Sequence, residues 1–367
     1  MNKAIKYRLY PTIEQEEMFA KTFGCCRKIW NLMLNDKIEH YKSNKEILQT
    51  TPAQYKKQEE YKYLKEVDSL ALANVQLHLQ TAYKNFFRDK KIGFPKFKSA
   101  KHSRKTYTTN NQNGTVALAD NGIRLPKIGI VKAKIHREPD TDWKIKSATI
   151  SQDKDDKFYV SVLFEFDKTI NQVPISDNAI GLDYKSDGLY ADSNGNVCGS
   201  PKYYRKSQKK LAKLQRQLSR KEKGSNNRNK ARLKVARLQK HTSNQRLDFL
   251  HKKSTEIANQ YDVVCVETLN MKNMSNKGFG NGKATLDNGY GLFLTMLEYK
   301  LADRGKYLVK VDKWYPSSQL CYCCGKQHKE MKNLLARQFV CGCGYKNDRD
   351  TNASLNIKKE GLRLLTV

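Results

Sequence analysis

Apolar and basic residues alternate near the start of the chain. Ile5, Tyr7 and Leu9 take every second position, and Lys6 and Arg8 stand between them. A period of two is typical of a strand that buries one face, so this segment predicts a half-buried strand with a basic outer face. Lys6 and Arg8 are therefore candidate contacts for an anionic partner.

Two stretches after this strand have the apolar spacing of amphipathic helices. Pro11 ends the strand, and Thr12 with Gln15 forms a capping-box pattern that opens the first helix. Its apolar positions are Met18, Phe19, Phe23, Trp30 and Leu34. Those of the second helix are Leu72, Val75, Leu79, Ala82, Tyr83 and Phe86. Stripes of this kind predict core packing rather than ligand binding.

Residues 105–168 have the pattern of a β-rich domain. Short runs such as TYTT, TVAL, IVKAKI, IKSATI and KFYVSVLFEF are separated by turn residues. One small barrel or sandwich fits these runs, with the first strand of the chain as a member. The helices of residues 12–92 then form an insertion between the first strand and the others.

The segment GFPKFKSAKHSRK (93–105) interleaves cations with aromatic residues. Two interpretations fit it, a solvated linker and a nucleic-acid contact. In the second interpretation, the contacts are Lys96, Lys98 and Arg104.

The most charged stretch is residues 202–240, which contains ten Lys and six Arg against the single acid Glu222. Leucines recur at helical spacing on both sides of a turn at 224–227, which predicts a helical hairpin with one apolar seam. A charge run is often only solvated, but cations on rigid helices also suit a phosphate backbone. The candidate contacts are Lys209, Lys210, Lys213, Arg216 and Arg220.

The charge of the whole chain indicates a polyanionic partner. Among 367 residues, 69 Lys and Arg stand against 37 Asp and Glu, which gives a formal charge of +32. Nucleic acid relieves such self-repulsion through phosphate contacts. A merely soluble basic protein and a membrane-surface binder are the alternatives. The N-terminus has no cleavage signal, and no stretch approaches the roughly 20 apolar residues of a membrane span, so a reducing cytoplasm is expected.

Cysteine pairs near the C-terminus predict a zinc site. Five of the nine cysteines lie within residues 321–343, and in an intracellular chain such crowding favours metal binding over disulfides. The pairs are Cys321-x-x-Cys324 and Cys341-x-Cys343, sixteen residues apart. Each is followed by a Gly, which predicts a tight turn after the pair. Four thiolates close a tetrahedral site, which predicts one structural Zn²⁺. The second pair is one residue shorter than the usual knuckle, and Cys323 is a spare ligand.

Three acidic residues stand where elements begin or end. Asp183 follows the apolar run at 179–182, Glu267 ends the run at 263–266, and Asp350 opens a predicted C-terminal helix. Strand-end carboxylates can meet at one sheet edge and hold two Mg²⁺ ions about 3.5–4 Å apart for phosphodiester cleavage. Taken singly, each residue also fits a structural role, such as a helix cap for Asp350 or its neighbour Asp348.

Several motifs together resemble the TnpB (OrfB) family of insertion-sequence nucleases, relatives of the type V CRISPR effectors. They are YRLYPT near the start, NFFRDKKIGFPKFK (85–98), IGLDYKSDG (180–188), VETLNMKNMS (266–275), LEYKLADRG (297–305), YPSSQLCYCCG (315–325) and CGCGYKNDRDTNAS (341–354). The resemblance runs nearly end to end. Cysteine pairs directly before D-R-D-x-N-A are its most specific part.

The resemblance implies an RNA-guided, metal-dependent DNA endonuclease of a prokaryotic insertion sequence, associated with the nucleoid. The family's split RNase H-like (RuvC) site, which binds two Mg²⁺, falls on Asp183, Glu267 and Asp350. Its partners are a guide RNA and double-stranded target DNA beside a short fixed motif. We expect a monomeric protein bound to RNA, with no membrane partner.

The expected architecture is a multidomain α+β protein. The N-terminal part is a β-barrel (residues 1–10 and 104–172) that carries a helical recognition insertion (11–103). The C-terminal part is an RNase H-like domain (177–312 and 346–367) that includes the basic hairpin, with an inserted zinc ribbon (313–345).

One departure from the family pattern concerns the first acid. Lys185 stands where many relatives carry Gly, and its ammonium can compete with metal or contact phosphate. The rival functions are a guide-dependent repressor or transposition accessory without cleavage, a DNA-joining transposase, and a zinc-ribbon scaffold that binds structured RNA. The chain lacks the His-hydrophobic-His pair of single-strand transposases.

Overall fold

The structure is a computed structural model that describes residues 1–276, 282–333 and 335–366. These residues divide into two compact units, Met1–Lys168 and Thr169–Val367. Among the described helices, none is both long and apolar enough to cross a membrane.

The first unit contains one antiparallel sheet of seven strands. They are β1 (Asn2–Tyr10), β2 (Lys105–Asn110), β3 (Ala117–Ala119), β4 (Gly122–Leu125), β5 (Gly129–Lys134), β6 (Lys144–Gln152) and β7 (Phe158–Glu165). Their order is β2-β6-β7-β1-β5-β4-β3, so the first strand of the chain lies at the centre. The prediction that β1 joins the later strands in one sheet is confirmed. The strands at the two edges of this sheet are β2 and β3.

The amphipathic prediction for β1 is confirmed. Ile5, Tyr7 and Leu9 are buried, and the residues between them face away from the core. On that outer face the Lys6 ammonium lies 4.4 Å from the ring centre of Tyr159, and the Arg8 guanidinium lies 5.4 Å from it. Cation–π contacts of this kind hold both cations at the surface.

The helices of the first unit pack against its sheet. They are α1 (Ile13–Asn44), α2 (Pro52–Lys56) and α3 (Ser69–Arg88), with 3₁₀ turns at Glu59–Lys65 and Lys90–Ile92. The capping box is present: the Gln15 amide donates to Thr12 Oγ1 at 3.3 Å, and the Thr12 amide donates to Gln15 Oε1 at 3.1 Å. Phe19 stacks on Phe158 at 5.4 Å, which joins helix and sheet in one apolar core.

The second unit is built on a mixed sheet of five strands. They are β8 (Ala179–Tyr184), β9 (Gly188–Asp192), β10 (Val197–Gly199), β11 (Val263–Glu267) and β12 (Tyr307–Val311). The order is β10-β9-β8-β11-β12, and β11 pairs in parallel with both β8 and β12. Because helices cover both faces, the central strands are continuous apolar runs rather than alternating ones.

Six helices of the described ranges surround this sheet, and a small hairpin carries the second cysteine pair. The helices are α4 (Tyr203–Ser219), α5 (Asn226–Gln260), α6 (Met271–Met274), α7 (Gly282–Asn288), α8 (Tyr290–Ala302) and α9 (Arg349–Leu365). The hairpin pairs β13 (Gln338–Val340) with β14 (Lys346–Asp348). The predicted basic hairpin is confirmed as α4 and α5, although α5 continues twenty residues beyond position 240 because its later half packs against α8.

Candidate active site and cysteine cluster

Asp183 and Glu267 lie side by side at the ends of two parallel strands. The paired positions of β8 and β11 end at Leu182 and Val266, one residue before each acid. Parallel strands carry equivalent residues to the same edge, so this register aligns the two carboxylates.

Asp350 reaches the same edge from the start of α9. Asp348 caps the helix: its Oδ1 accepts from the amides of Asp350 at 2.9 Å and Thr351 at 3.1 Å. The helix lies directly on β8, because a Cβ on Gly181 would come within 2.0 Å of the Ser354 carbonyl oxygen. Only Gly allows this approach of backbone to backbone.

The charges of Glu267 and Asp350 act on the carboxyl of Asp183. Surrounding protein desolvates the carboxyl of Asp183, although the residue keeps some exposed surface, and this raises its pKa well above the usual range. The charges of Glu267 and Asp350 raise it further, while Arg349 and Lys185 oppose the shift. Burial raises the pKa of Glu267 to about 7. The site therefore concentrates negative charge that a cation would stabilise.

Lys185 supplies a cation at this position. Its ammonium forms an ion pair with Asp350 Oδ2 and lies 3.9 Å from Asp187 Oδ1. Burial lowers the pKa of Lys185, but the hydrogen bond to Asp350 and its charge raise it by more. The carboxylate of Asp350 is therefore paired with the side chain of a lysine.

The residues at this edge have the donor chemistry of a divalent metal site, although among the described residues only the paired cysteines bring three or more ligand atoms within 4.8 Å of one another. All three acids offer oxygen, the donor that Mg²⁺ prefers. Tyr290 is fully buried, and its hydroxyl has no hydrogen-bond partner within the described ranges. Burial raises the pKa of Tyr290, and the nearby charges of Asp183 and Glu267 raise it further. A buried phenol beside two acids can donate to a carboxylate or to a water bound there.

The four paired cysteines form a second cluster. Their sulfurs all lie within 4.8 Å of one another, with Cys321–Cys343 at 3.7 Å and Cys324–Cys341 at 3.6 Å. Zn–S bonds of about 2.3 Å in a tetrahedron imply S···S edges of about 3.8 Å, so the spacing fits zinc. Cys323 lies outside this group and is exposed.

Two glycines close the turns that carry the cysteine pairs. Gly325 and Gly344 have φ of +75° and +91°, values that a residue with a Cβ rarely adopts. The Gly325 amide donates to the Cys321 carbonyl at 2.9 Å, and the Gly344 amide donates to the Cys341 carbonyl at 3.0 Å. The predicted tight turn after each pair is confirmed.

Buried asparagines of α9 attach the cysteine segment to the helix that carries Asp350. Asn352 donates to the Leu320 carbonyl at 2.8 Å and accepts from the Tyr322 amide at 3.2 Å. Asn356 donates to the carbonyls of Ser317 at 2.9 Å and Leu320 at 2.7 Å. The cysteine cluster and the third acid are therefore mechanically connected.

The basic candidates of the first unit lie on its surface and at one cleft. Lys98 contacts the Trp30 ring at 3.6 Å, and its backbone is fixed by two hydrogen bonds with Asn31. The Lys96 carbonyl accepts from Trp30 Nε1 at 3.0 Å, so the segment 93–105 is anchored rather than a free linker. A cleft of about 350 Å³ includes Lys98 and Arg104 in its lining, together with Asn74 and His78 of α3.

The basic candidates of the second unit form an exposed face of α4. Lys209, Lys210, Lys213 and Arg216 are exposed on the helix, and Arg220 is its C-cap residue. Arg220 also lines a cleft of about 520 Å³ at the turn of the hairpin, with five other polar or charged residues. These are Gln217, Lys221, Asn227, Lys230 and Lys234.

The structure adds residues that sequence reasoning did not single out. Asp287 accepts from the amides of Tyr204 at 2.9 Å and Arg205 at 3.2 Å, and so holds the start of the basic helix. His328 lies against Cys341, with 3.2 Å between Nε2 and Sγ. Asn352 belongs to the motif at 341–354, but no local sequence pattern indicates that it bonds to Tyr322, thirty residues away.

Three family models match the chain. The first, OrfB_IS605, is described as "Probable transposase" and matches residues 159–278. The second is a Cas12f1-like TNB domain, over residues 290–357. The third is the helix-turn-helix domain of the same OrfB group, over residues 1–46, which fold here as β1 and one helix, α1.

Two relatives are similar to the chain in sequence over almost their whole length, and one solved structure is similar to it in fold. A Streptomyces pristinaespiralis protein that carries the name of an RNA-guided DNA endonuclease is 37% identical and covers 99% of this chain and 90% of its own. InsQ of Escherichia coli, named in the same way, is 32% identical over 99% of this chain and 93% of its own. The Cas12f1 chain in a complex with sgRNA and target DNA matches with a TM-score of 0.60 at 13% identity, covering 98% of both chains. The chain belongs to the TnpB (OrfB) family of insertion-sequence proteins.

Proposed function

We propose that this chain is an RNA-guided, metal-dependent DNA endonuclease. The observation that carries the proposal is the effect of the charges of Glu267 and Asp350 on the carboxyl of Asp183, with the pKa values of Asp183 and Glu267 raised by burial. The names of both full-length relatives support the same activity. An acidic cluster on a protein of charge +32 suits a metal site facing a polyanion.

The second unit is assigned as an RNase H-like (RuvC) nuclease domain with an inserted zinc ribbon. Its mixed sheet, with acids at the ends of β8 and β11 and on α9, supports the nuclease assignment. The closed set of four thiolates supports structural zinc in the ribbon. The sheet of the first unit is assigned as the barrel-like domain, with α1 to α3 as its helical insertion.

In the mechanism, Asp183, Glu267 and Asp350 would hold two Mg²⁺ ions. When bound, the ions supply a water activated for attack and stabilisation of the leaving oxygen of the phosphodiester. Asp183 and Glu267 sit on rigid strands, and Asp350 on a capped helix, so the chain fixes the positions of the ligands before metal arrives. Tyr290 contributes a buried donor beside the first two acids.

The basic surfaces would hold the nucleic acids. The cations of α4 and the cleft at the hairpin turn suit contacts with the guide RNA backbone, which carry no sequence information. The target sequence would be read by base pairing with the guide. The cleft of the first unit, lined by Asn74, His78, Thr106 and Thr108 among others, offers amide, imidazole and hydroxyl groups for reading a short adjacent DNA motif.

The test uses protein purified with its own co-expressed locus. The bound RNA is sequenced, and the complex is incubated with a DNA library of randomised flanks, with Mg²⁺ or with EDTA. Mg²⁺-dependent cuts at guide-matched sites are expected, and the enriched flank gives the adjacent motif. Guided binding without cuts would instead indicate a repressor, and absence of a bound RNA would overturn the guided function.

A further inference from the structure

His328 lies against the cysteine cluster although it belongs to neither cysteine pair. Its Nε2 is 3.2 Å from the Cys341 sulfur, and its side chain is only 11% exposed. The backbone fixes this position, because the His328 amide donates to the Gln319 carbonyl at 2.8 Å. Leu320 and Gln327 also form a bridge between the two arms of the loop.

The ring is oriented from its other side. Nδ1 lies 2.9 Å from Glu330 Oε1, and the ring meets the buried Phe339 edge-on at 5.2 Å. Histidines that ligate metals typically donate their second N–H to a carboxylate, which fixes the ring and directs the free nitrogen at the metal. Glu330 and His328 have this arrangement, with the free nitrogen directed at the cluster.

Cys341 is the member of the cluster that His328 can replace. It belongs to the shortened pair, with one residue before Cys343, whereas Cys321 and Cys324 have the usual two. In a tetrahedral zinc site, Zn–S and Zn–N bonds of about 2.3 and 2.0 Å imply an S···N edge of about 3.5 Å. The observed 3.2 Å lies close to that edge, so Nε2 is within reach of a metal held by the cluster and can take over when Cys341 leaves.

We propose that His328 is a fifth metal-binding side chain of this cluster, which ligates zinc in exchange with Cys341. The site then holds the metal with four cysteines, or with Cys321, Cys324, Cys343 and His328. The proposal rests on the zinc assignment of the proposed function, and it is independent of DNA cleavage. It makes Cys341 the one replaceable cysteine of the four.

The experiment measures metal binding by the full-length chain rather than its activity. Bound zinc is counted by metal analysis, affinity is measured by competition with a chelator, and Co²⁺ substitution reports the ligand set. Cys341→Ala is expected to retain one metal with an affinity at most about 100-fold lower, and with weaker sulfur-to-cobalt absorption. Cys321→Ala combined with Cys323→Ala, which also removes the spare cysteine next to that position, is expected to lose the metal.

Double variants identify the substitute ligand. Cys341→Ala with His328→Ala is expected to lose the metal, whereas Cys341→Ala with Cys323→Ala is expected to keep it. Loss of metal by Cys341→Ala alone, to the extent seen in the variant that lacks both Cys321 and Cys323, would overturn the proposal. So would retention of metal by the variant that lacks both Cys341 and His328.

A further variant tests metal binding by His328 if Cys341→Ala does not fold. His328→Ala alone keeps all four cysteines, and its Co²⁺ form is expected to show stronger sulfur-to-cobalt absorption than the native chain, because every bound ion is then held by four thiolates. An unchanged Co²⁺ spectrum would contradict the proposal. Cys323→Ala, a change of an exposed neighbour, is the control and is expected to bind zinc like the native chain.

Discussion

The ammonium of Lys185 forms an ion pair with the carboxylate of Asp350, although 165 positions separate the two residues in the sequence. Both side chains are largely buried, at 21% and 19% exposed. Lys185 follows Asp183 by two positions on the strand side of the site, and Asp350 comes from the helix side. A cation of the chain itself therefore lies on one of the three acids proposed to bind Mg²⁺.

This ion pair predicts competition between Lys185 and metal. Lys185→Ala removes a positive charge next to the site, so we expect Mg²⁺ or Mn²⁺ to bind about tenfold more tightly, as one nearby charge contributes about 1–4 kcal/mol. Titration calorimetry or Mn²⁺ spin resonance measures the affinity directly. Lys185→Arg keeps the charge and is the control. Unchanged or weaker metal binding by the Ala variant would refute the competition.

The acids predict a separation of cleavage from guided binding. Asp183→Asn removes a proposed metal ligand without a large change in shape, and we expect cleavage to fall by about 10³-fold or more, because bound metal contributes several kcal/mol. Binding of guide-matched DNA should persist. Asp187→Asn changes an acid of the same turn that is 72% exposed, and it should cleave normally. Equal loss in both variants, or in neither, would speak against the assigned site.

The pKa of Glu267 predicts how pH affects the metal-free protein. Burial raises this pKa from 4.5 to about 7, so between these values the folded state binds more protons than the unfolded state. The free energy of unfolding therefore falls as pH rises through this window. Glu267→Gln removes the effect and should stabilise the metal-free chain at pH 8 by up to about 3 kcal/mol.

Denaturation at several pH values measures this difference. The advantage of Glu267→Gln over the native chain should shrink as pH falls toward 5. Added Mg²⁺ should stabilise the native chain at pH 8 and leave the Gln variant nearly unchanged, because the metal replaces the missing proton. A constant difference across pH would show that the carboxyl does not titrate in this range.

The hydrogen bonds of Asn352 predict that the cysteine segment positions Asp350. Asn352→Ala leaves the Tyr322 amide without its acceptor and removes one donor from the Leu320 carbonyl. We expect a loss of about 1–3 kcal/mol in stability together with reduced cleavage at saturating Mg²⁺. Leu364→Ala, at an exposed position of the same helix, is the control. Full cleavage by the Asn352 variant would show that Asp350 is positioned without this connection.

The exposed face of α4 predicts salt-dependent RNA binding. Changing Lys209, Lys210 and Lys213 together to Gln should weaken binding of the guide RNA. If all three contact phosphates, the slope of log affinity against log salt should decrease by about 2. Lys252→Gln, on the surface of α5 in an ion pair with Asp248, should leave the slope unchanged. An unaltered slope in the triple variant would remove α4 from the RNA surface.

Local order was predictable from the sequence because it depends on neighbouring residues. The period of two in β1 and the Thr12 capping box appear in the structure as predicted. The glycine turns after each cysteine pair do so as well. The four cysteines that come together were also identifiable, because their spacing along the chain reflects the knuckles they form.

Only the tertiary structure decided which distant residues meet. Nothing near Asp350 in the sequence indicates that it lies on Lys185, since that contact depends on α9 packing over Gly181. The approach of His328 to Cys341, and the attachment of Asn352 to Leu320, depend likewise on how a loop folds back. Periodicity and capping are properties of short segments, whereas the geometry of a site is set by strand register and by packing between segments far apart in the chain.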